Sequence, residues 1–431
     1  MLVNVSFNII DTIFVGMLGS APLAALSVAF PVQMLMAGVA VGTGVGAASL
    51  VSRNLGAAEY KEANKTASQA FTLAFLLGIV VILVGMLFLE ELVVAFGATP
   101  LILEPTYDYL SIIMWGSPTI FLMMMGNNLI RGEGNAMVAM KIMVAGALLN
   151  IALDPVFIFG LDMGVRGAAW ATVISRSLVL LYVIYHFLSS KRVLIISLRW
   201  ISLRWRIVVE IYRVGIPAIC MQVAFNLAII FLNRILGGYD HLPIAVLGII
   251  VRLQMMVLLP CIGISQGLLT ILGFNFGGGL YPRVREAFLK ATLIAFVFAL
   301  LVTVVLLAFP TTFIAIFNRE PEILQLGSYA LRIMVFTFPL AALQIMSSIL
   351  FQAIGRGFPA FMLAISRQFL FFVPLAYLFD YLFGISGIWF SAPVADALTC
   401  ALAAIVVTLE FRKLNVPLSN YFHLKNKPEE T

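Results

Sequence analysis

The chain has 431 residues, 62% of them hydrophobic and only 11% charged, with a formal net charge of +6. That charged share is about half of what a soluble domain carries, which excludes an ordinary water-soluble enzyme or nucleic-acid-binding module and points to a polytopic membrane protein. The alternation expected of β-barrel strands is absent, so helices that close their own hydrogen bonds must satisfy the backbone in lipid.

Apolar stretches of about 20 residues, enough for a helix to cross roughly 30 Å of hydrocarbon, recur from the first residue to about residue 411. They predict twelve spans, near 1–18, 23–50, 65–89, 107–130, 137–158, 167–188, 208–236, 242–273, 286–309, 327–353, 359–379 and 387–411. The first lacks a basic lead and a cleavage site, and so reads as a retained span.

Positive residues cluster in every second connection: Arg53, Lys61 and Lys65; Arg131 and Lys141; five within 189–206; Arg283, Arg285 and Lys290; Arg356; Arg412 and Lys413. The intervening connections are acid-rich, with Glu90, Glu91, Glu104, Asp162, Asp240, Glu320 and Glu322 outnumbering Arg166 and Arg319. By the positive-inside rule the basic set and both termini are cytoplasmic in a cell inner membrane. This also accounts for the net charge without a nucleic-acid partner.

The chain repeats itself. Adding 221 to Gln33, Met34, Gly42, Gly46, Asn54, Gly56 and Tyr60 gives Gln254, Met255, Gly263, Gly267, Asn275, Gly277 and Tyr281. At a shift of 220, "GVRGAAWATVISRSL" (164–178) falls on "GISGIWFSAPVADAL" (384–398). Expected are an N-lobe of six spans (1–188), a basic linker (189–206) whose Trp200 and Trp205 suit the interface, a second six-span lobe (207–412) and a tail (413–431), the lobes being parallel repeats. Gly38, Gly42 and Gly46, spaced by four, offer a small-residue face for a neighbouring helix. "GTGVGA" (42–47) lacks the strand and soluble βαβ context of a dinucleotide loop.

Chemistry belongs to the first half alone. Asp11 aligns near Asn233, Asn150 with Leu370 or Phe371, Asp154 with Pro374 or Leu375, and Thr172 with Ala392. Asn150 and Asp154 are four residues apart, hence on one helix face. All of these fall at similar depth in the outer half of the bilayer, and Tyr109 can join them. An intramembrane carboxylate costs roughly 2.5–3.5 kcal/mol even on insertion scales, so it faces the bundle interior and marks an ion or proton path. Two such groups with Asn and Thr oxygens suit a hard cation such as Na⁺. The bland alternative is that each acid is satisfied by packing partners.

Arg176, Arg367 and Asp396, nearer the cytoplasmic half, read as charges that pair between the repeats or snorkel, and Arg252 as a deeper contributor to a cavity. Met114, Met123, Met124 and Met125 suit either a core or an adaptable binding wall. Cys220, Cys261 and Cys400 are far apart, and no metal cluster, nucleophile–base pair or cofactor motif is visible.

"NIIDTIFVGMLGSAPLAALSVAFP" (8–31), "GVGAASLVSRNLGAAEYKEA" (44–63), "RGEGN" (131–135) and "NIALDPVFIFG" (150–160), taken together and in this order, resemble the multidrug and toxic compound extrusion (MATE) transporters. The resemblance covers essentially the whole chain. It implies two six-helix lobes around a central cleft that alternates access. It further implies a monomer among membrane lipids, with Na⁺ or H⁺ entering in exchange for organic cations and other amphipathic drugs. The pattern is closest to the DinF-like branch, whose N-lobe coupling site is met here by Asp11, Asn150, Asp154 and Thr172, with Tyr109 in the same network. The sister NorM-like branch uses acids on the seventh and tenth helices. Here the seventh offers only Gln222 and Asn226, as possible network or substrate contacts, and the tenth has no central acid. Relatives also carry a longer lead-in to helix 1 than the ten residues before Asp11. A lipid-linked oligosaccharide flippase is the alternative, wanting a cationic cavity from Arg176, Arg252 and Arg367. An intramembrane enzyme is a second alternative, and needs an acidic metal motif.

Overall fold

A computed structural model describes residues 10–188, 193–200, 203–239 and 241–415. The expected start of the first span, parts of the basic linker and the tail with His423 lie outside these residues. All regular structure among the described residues is helical. Helix α1 covers 10–16, and is followed by α2 Ser20–Gly56, α3 Tyr60–Leu87, α4 Leu89–Ala95, α5 Pro100–Trp115 and α6 Ser117–Gly132. Next come α7 Ala136–Pro155, which continues as a π-helical turn Val156–Gly160, and α8 Gly164–Leu188. The second half holds α9 Trp205–Leu236, α10 His241–Gly277, α11 Tyr281–Ala308, α12 Pro310–Ala315, α13 Pro321–Met334 and α14 Thr337–Ala353. It ends with α15 Gly357–Ile365, a π-helical stretch Ser366–Phe372, α16 Val373–Phe383 and α17 Ile385–Lys413.

Among the described residues nine helices are long and apolar enough to cross a bilayer, or eleven when each of two bent pairs counts as one span. Large apolar side chains such as Leu83, Leu181 and Leu301 stand more than half exposed. Water would not tolerate such surfaces over so many helices, whereas lipid does.

The duplication expected from residue identities is repeated in the helix boundaries. Starts at Ser20, Tyr60, Pro100, Ala136 and Gly164 recur at His241, Tyr281, Pro321, Gly357 and Ile385, each 221 residues on. Two spans expected to be continuous, near 107–130 and 327–353, are broken instead. The axis bends by 54° between α5 and α6 and by 43° between α13 and α14. The cause is a matched pair of prolines, Pro118 and Pro339, which deny their helices an N–H and crowd the carbonyl four residues earlier.

By packing, the chain forms two units, Met1–Ile219 and Cys220–Thr431. The division falls inside α9 and not in the basic linker, because the first turns of α9 are seated on α2. A Cβ on Gly46 would lie 2.1 Å from the Ile211 carbonyl oxygen, and one on Gly42 would lie 2.9 Å from that of Gly215. The glycine face therefore has the role expected of it, with α9 as the neighbour. The linker is itself docked on α3: the Ile195, Ser197 and Arg204 amides donate to Asn64 Oδ1, Ser68 Oγ and Gln69 Oε1 at 2.9, 3.1 and 2.9 Å. Trp200 is half-buried and Trp205 exposed.

The methionine group is core. Met114, Met123 and Met125 are buried, and Met124 packs against the cluster that holds Met123 and Met125. His186 is buried against Glu133, Nε2 to Oε1 at 2.6 Å. Glu133→Leu is expected to strand that imidazole without a partner and to cost about 1–3 kcal/mol, read as a lower unfolding temperature of the detergent-solubilised protein. An unchanged temperature would show that the pair contributes nothing.

Candidate functional site: a buried acidic cluster in the first half

Four helices bring the cluster together. Asp11 sits on α1, Tyr109 on α5, Asn150 and Asp154 one turn apart on α7, and Thr172 on α8. Pro155 ends the α-helical ladder directly after Asp154, and the chain widens into the π-turn Val156–Gly160 before reversing into α8. The reversal is tight, since a Cβ on Gly167 would meet the Phe157 carbonyl oxygen at 2.6 Å. A glycine there allows α8 to lie close enough for Thr172 to face α7. Such π-turns recur at functional sites because they re-aim neighbouring side chains.

Asp154 is fully buried, Asn150 is 2% exposed and Asp11 7%. The Asn150 amide Nδ2 donates to Asp154 Oδ1 at 3.2 Å and to Thr172 Oγ1 at 3.4 Å. One oxygen on each of Asp11, Asn150 and Asp154 is buried with no hydrogen-bond donor facing it. Asp11 and Asp154 lie within electrostatic reach of each other. Buried acceptors left without a donor cost about 1–3 kcal/mol each, and more when charged. Among the described residues, the expectation that packing partners satisfy each acid does not hold for these atoms.

Tyr109, 2% exposed, belongs to the apolar cluster that roofs this site, with Val15, Ile113, Ile158, Ala169 and Val173. Its hydroxyl faces the side chain of Gln33, and both acids and Arg176 lie within electrostatic reach of it. Gln33 and Arg176 were not among the residues expected here. Gln33 is identical to Gln254 in the second half, so a search for differences between the halves passes over it. Arg176, half-buried on α8, lies within electrostatic reach of Tyr109 in the first half.

The remaining charges separate differently from expectation. Arg367 and Asp396 pair with each other inside the second half, Nε to Oδ1 at 2.6 Å. Arg252 is exposed and is not among the residues that line the cavity of the second half. Gln222 is exposed and Asn226 half-buried; neither lines the cavity of the second half.

A multi-span helical protein with an internally duplicated fold is, in class, a membrane transporter. The MatE family model matches residues 1–156 and 217–378, well over half of the chain, and the chain belongs to that family of transporters. Asp11, Asn150 and Asp154 fall inside the matched residues and Thr172 outside them. The multidrug export protein MepA of Staphylococcus saprophyticus is 29% identical over 414 residues, covering 95% of this chain and 91% of its own length. MepA of Staphylococcus aureus is 28% identical with the same coverage. Among solved structures, an outward-facing multidrug resistance MATE family transporter of the MOP superfamily aligns with a TM-score of 0.90 at 29% identity, over 96% of this chain and 93% of that one. A MOP superfamily transporter from Pyrococcus furiosus aligns with a TM-score of 0.89 at 30% identity, over 96% and 93%.

Proposed function

We propose that the protein exports amphipathic and organic-cationic drugs from the cell by alternating access, in exchange for H⁺ or Na⁺ entering through the Asp11, Asn150, Asp154 and Thr172 cluster. The observation that carries this reading is the set of three buried, donorless oxygens on Asp11, Asn150 and Asp154. The multidrug export named for the MepA relatives supports the drug side of it.

A ligand shifts a conformational equilibrium only by its differential affinity for the two states. With the cluster empty, two buried carboxylates repel each other and favour a conformation that exposes them. A bound proton or Na⁺ removes that repulsion and favours closure of the apolar roof around Tyr109. Drug and cation thus bias opposite conformations, and linkage makes the bias reciprocal. With basic connections and both termini on the cytoplasmic side, the cation enters as the drug leaves. An oligosaccharide flippase fits less well: of the three arginines it would use, Arg367 is engaged by Asp396.

The test is accumulation of ethidium in everted vesicles whose lumen is loaded either acidic or Na⁺-rich. One of the two gradients is expected to drive uptake well above vesicles lacking the protein. Uptake driven by neither would overturn the coupling, and translocation of a labelled lipid-linked sugar in place of ethidium would establish the flippase.

A further inference from the structure

The basic linker is held as a strap along α3 by its Ile195, Ser197 and Arg204 amides, so the fold determines which of its side chains face outward. Leu194 is buried, and Ile196 packs against the apolar core of the first half. Exposed are Val193, Ile195, Leu203 and Trp205, the last by 79%, together with Arg199, Arg204 and Arg206. The depth of the strap follows from the length of α3. Its 28 residues make about 42 Å at 1.5 Å per residue, against roughly 30 Å of hydrocarbon. The excess belongs to its polar end, where Lys61, Glu62, Asn64, Lys65, Ser68 and Gln69 precede the apolar run that begins at Ala70. Docked on Asn64, Ser68 and Gln69, the strap lies level with the lipid headgroups.

We propose that this strap is a binding surface for the anionic lipids of the bilayer, its arginines on their phosphates and its exposed apolar side chains among their upper methylenes. The span 189–206 holds five basic residues and no acid. Neighbouring carboxylates do little to neutralise it. Glu62, within electrostatic reach of Arg204, is already held by Lys65, and Glu210 lies 3.8 Å from an Arg206 side chain that is 91% exposed, a surface pair of small worth. A guanidinium fork matches a phosphate in geometry and charge, basic segments beside a membrane are drawn to anionic lipid, and an indole suits the interface. An acidic protein partner would satisfy the arginines but leave Trp205 and three aliphatic side chains without a role. The ledge that carries the strap is particular to the first half. At the 221 offset Asn64, Ser68 and Gln69 become Arg285, Leu289 and Lys290, none of which offers an acceptor to a strap amide.

Quenching of Trp205 fluorescence by brominated lipid tests this in the full chain reconstituted into bilayers. One set of bilayers contains dibrominated phosphatidylglycerol in phosphatidylcholine, and the other dibrominated phosphatidylcholine in phosphatidylglycerol, at equal bromine content. The Trp205 signal is the difference between the parent and Trp205→Phe. It should be quenched at least about twofold more strongly by the brominated anionic lipid, and the preference should shrink in 1 M salt, where screening acts within about 3 Å. The triple variant Arg199→Gln/Arg204→Gln/Arg206→Gln, read with the same subtraction, should lose the preference and keep its quenching by brominated phosphatidylcholine. These arginines are exposed and the strap is held by backbone amides, so the variant leaves the docking intact. Equal quenching of the parent by both lipids, quenching by neither, or a preference that survives in the triple variant would each overturn the proposal. No drug or ion gradient enters the measurement, so it succeeds or fails independently of the transport reading.

Discussion

Asp154→Asn is expected to abolish gradient-driven export of ethidium while leaving the protein folded and inserted. The substitution keeps the shape of the side chain and its contact with the Asn150 amide, but removes the charge that a proton or Na⁺ would neutralise. Because Asp154 is fully buried, the neutral amide relieves the desolvation cost of the carboxylate, so no loss of stability is expected. Asp11→Asn should act in the same direction, since Asp11 supplies the second charge of the cluster. A fall in initial uptake rate of at least about 100-fold corresponds to removing roughly 2.7 kcal/mol of differential stabilisation. Parent-like transport by both variants would leave the cluster without a coupling role.

The second large effect concerns assembly. Gly46→Ala should sharply lower the unfolding temperature of the detergent-solubilised protein, or prevent its recovery. The added methyl would sit 2.1 Å from the Ile211 carbonyl oxygen, and backbone cannot move aside as a flexible side chain can. Overpacking of a tight contact costs typically about 1–3 kcal/mol. The repeat supplies the control. Gly267, which matches Gly46 at the 221 offset, has nothing within 4 Å of its would-be Cβ. There alanine should be neutral or slightly stabilising, by up to about 1 kcal/mol from helix propensity. Equal melting temperatures for the two variants would mean that the α2–α9 contact does not limit stability.

These two cases show where the chain states its structure openly. Spans were legible because lipid demands about 20 apolar residues each, and the small-residue face of α2 because glycines spaced by four share one side of a helix. The matched bends were present in Pro118 and Pro339 but masked by continuous apolarity on either side, which reads as an unbroken span. The packing boundary inside α9 was not legible, since nothing local to Ile219 marks it; the division follows from how closely Gly42 and Gly46 let α9 approach α2. In the site, Asn150 and Asp154 stood out because an amide and an acid four residues apart in an apolar helix share one face. Thr172 followed from its asymmetry between the halves. Asymmetry was also what hid Gln33, whose copy Gln254 survives in the second half with a different partner, Thr337. Arg367 and Asp396 were visible as charges but not as a pair, because they lie on separate helices and only the fold brings them within 2.6 Å.

The central claim is that drug and cation compete through the acid cluster of the first half. It is tested most directly by adding ethidium to the purified, detergent-solubilised protein and measuring the H⁺ released into weakly buffered medium, and in parallel the Na⁺ released from protein pre-equilibrated with it. Drug binding is predicted to displace one of the two cations from the parent protein and neither from Asp154→Asn. Equal release from parent and variant would contradict the account.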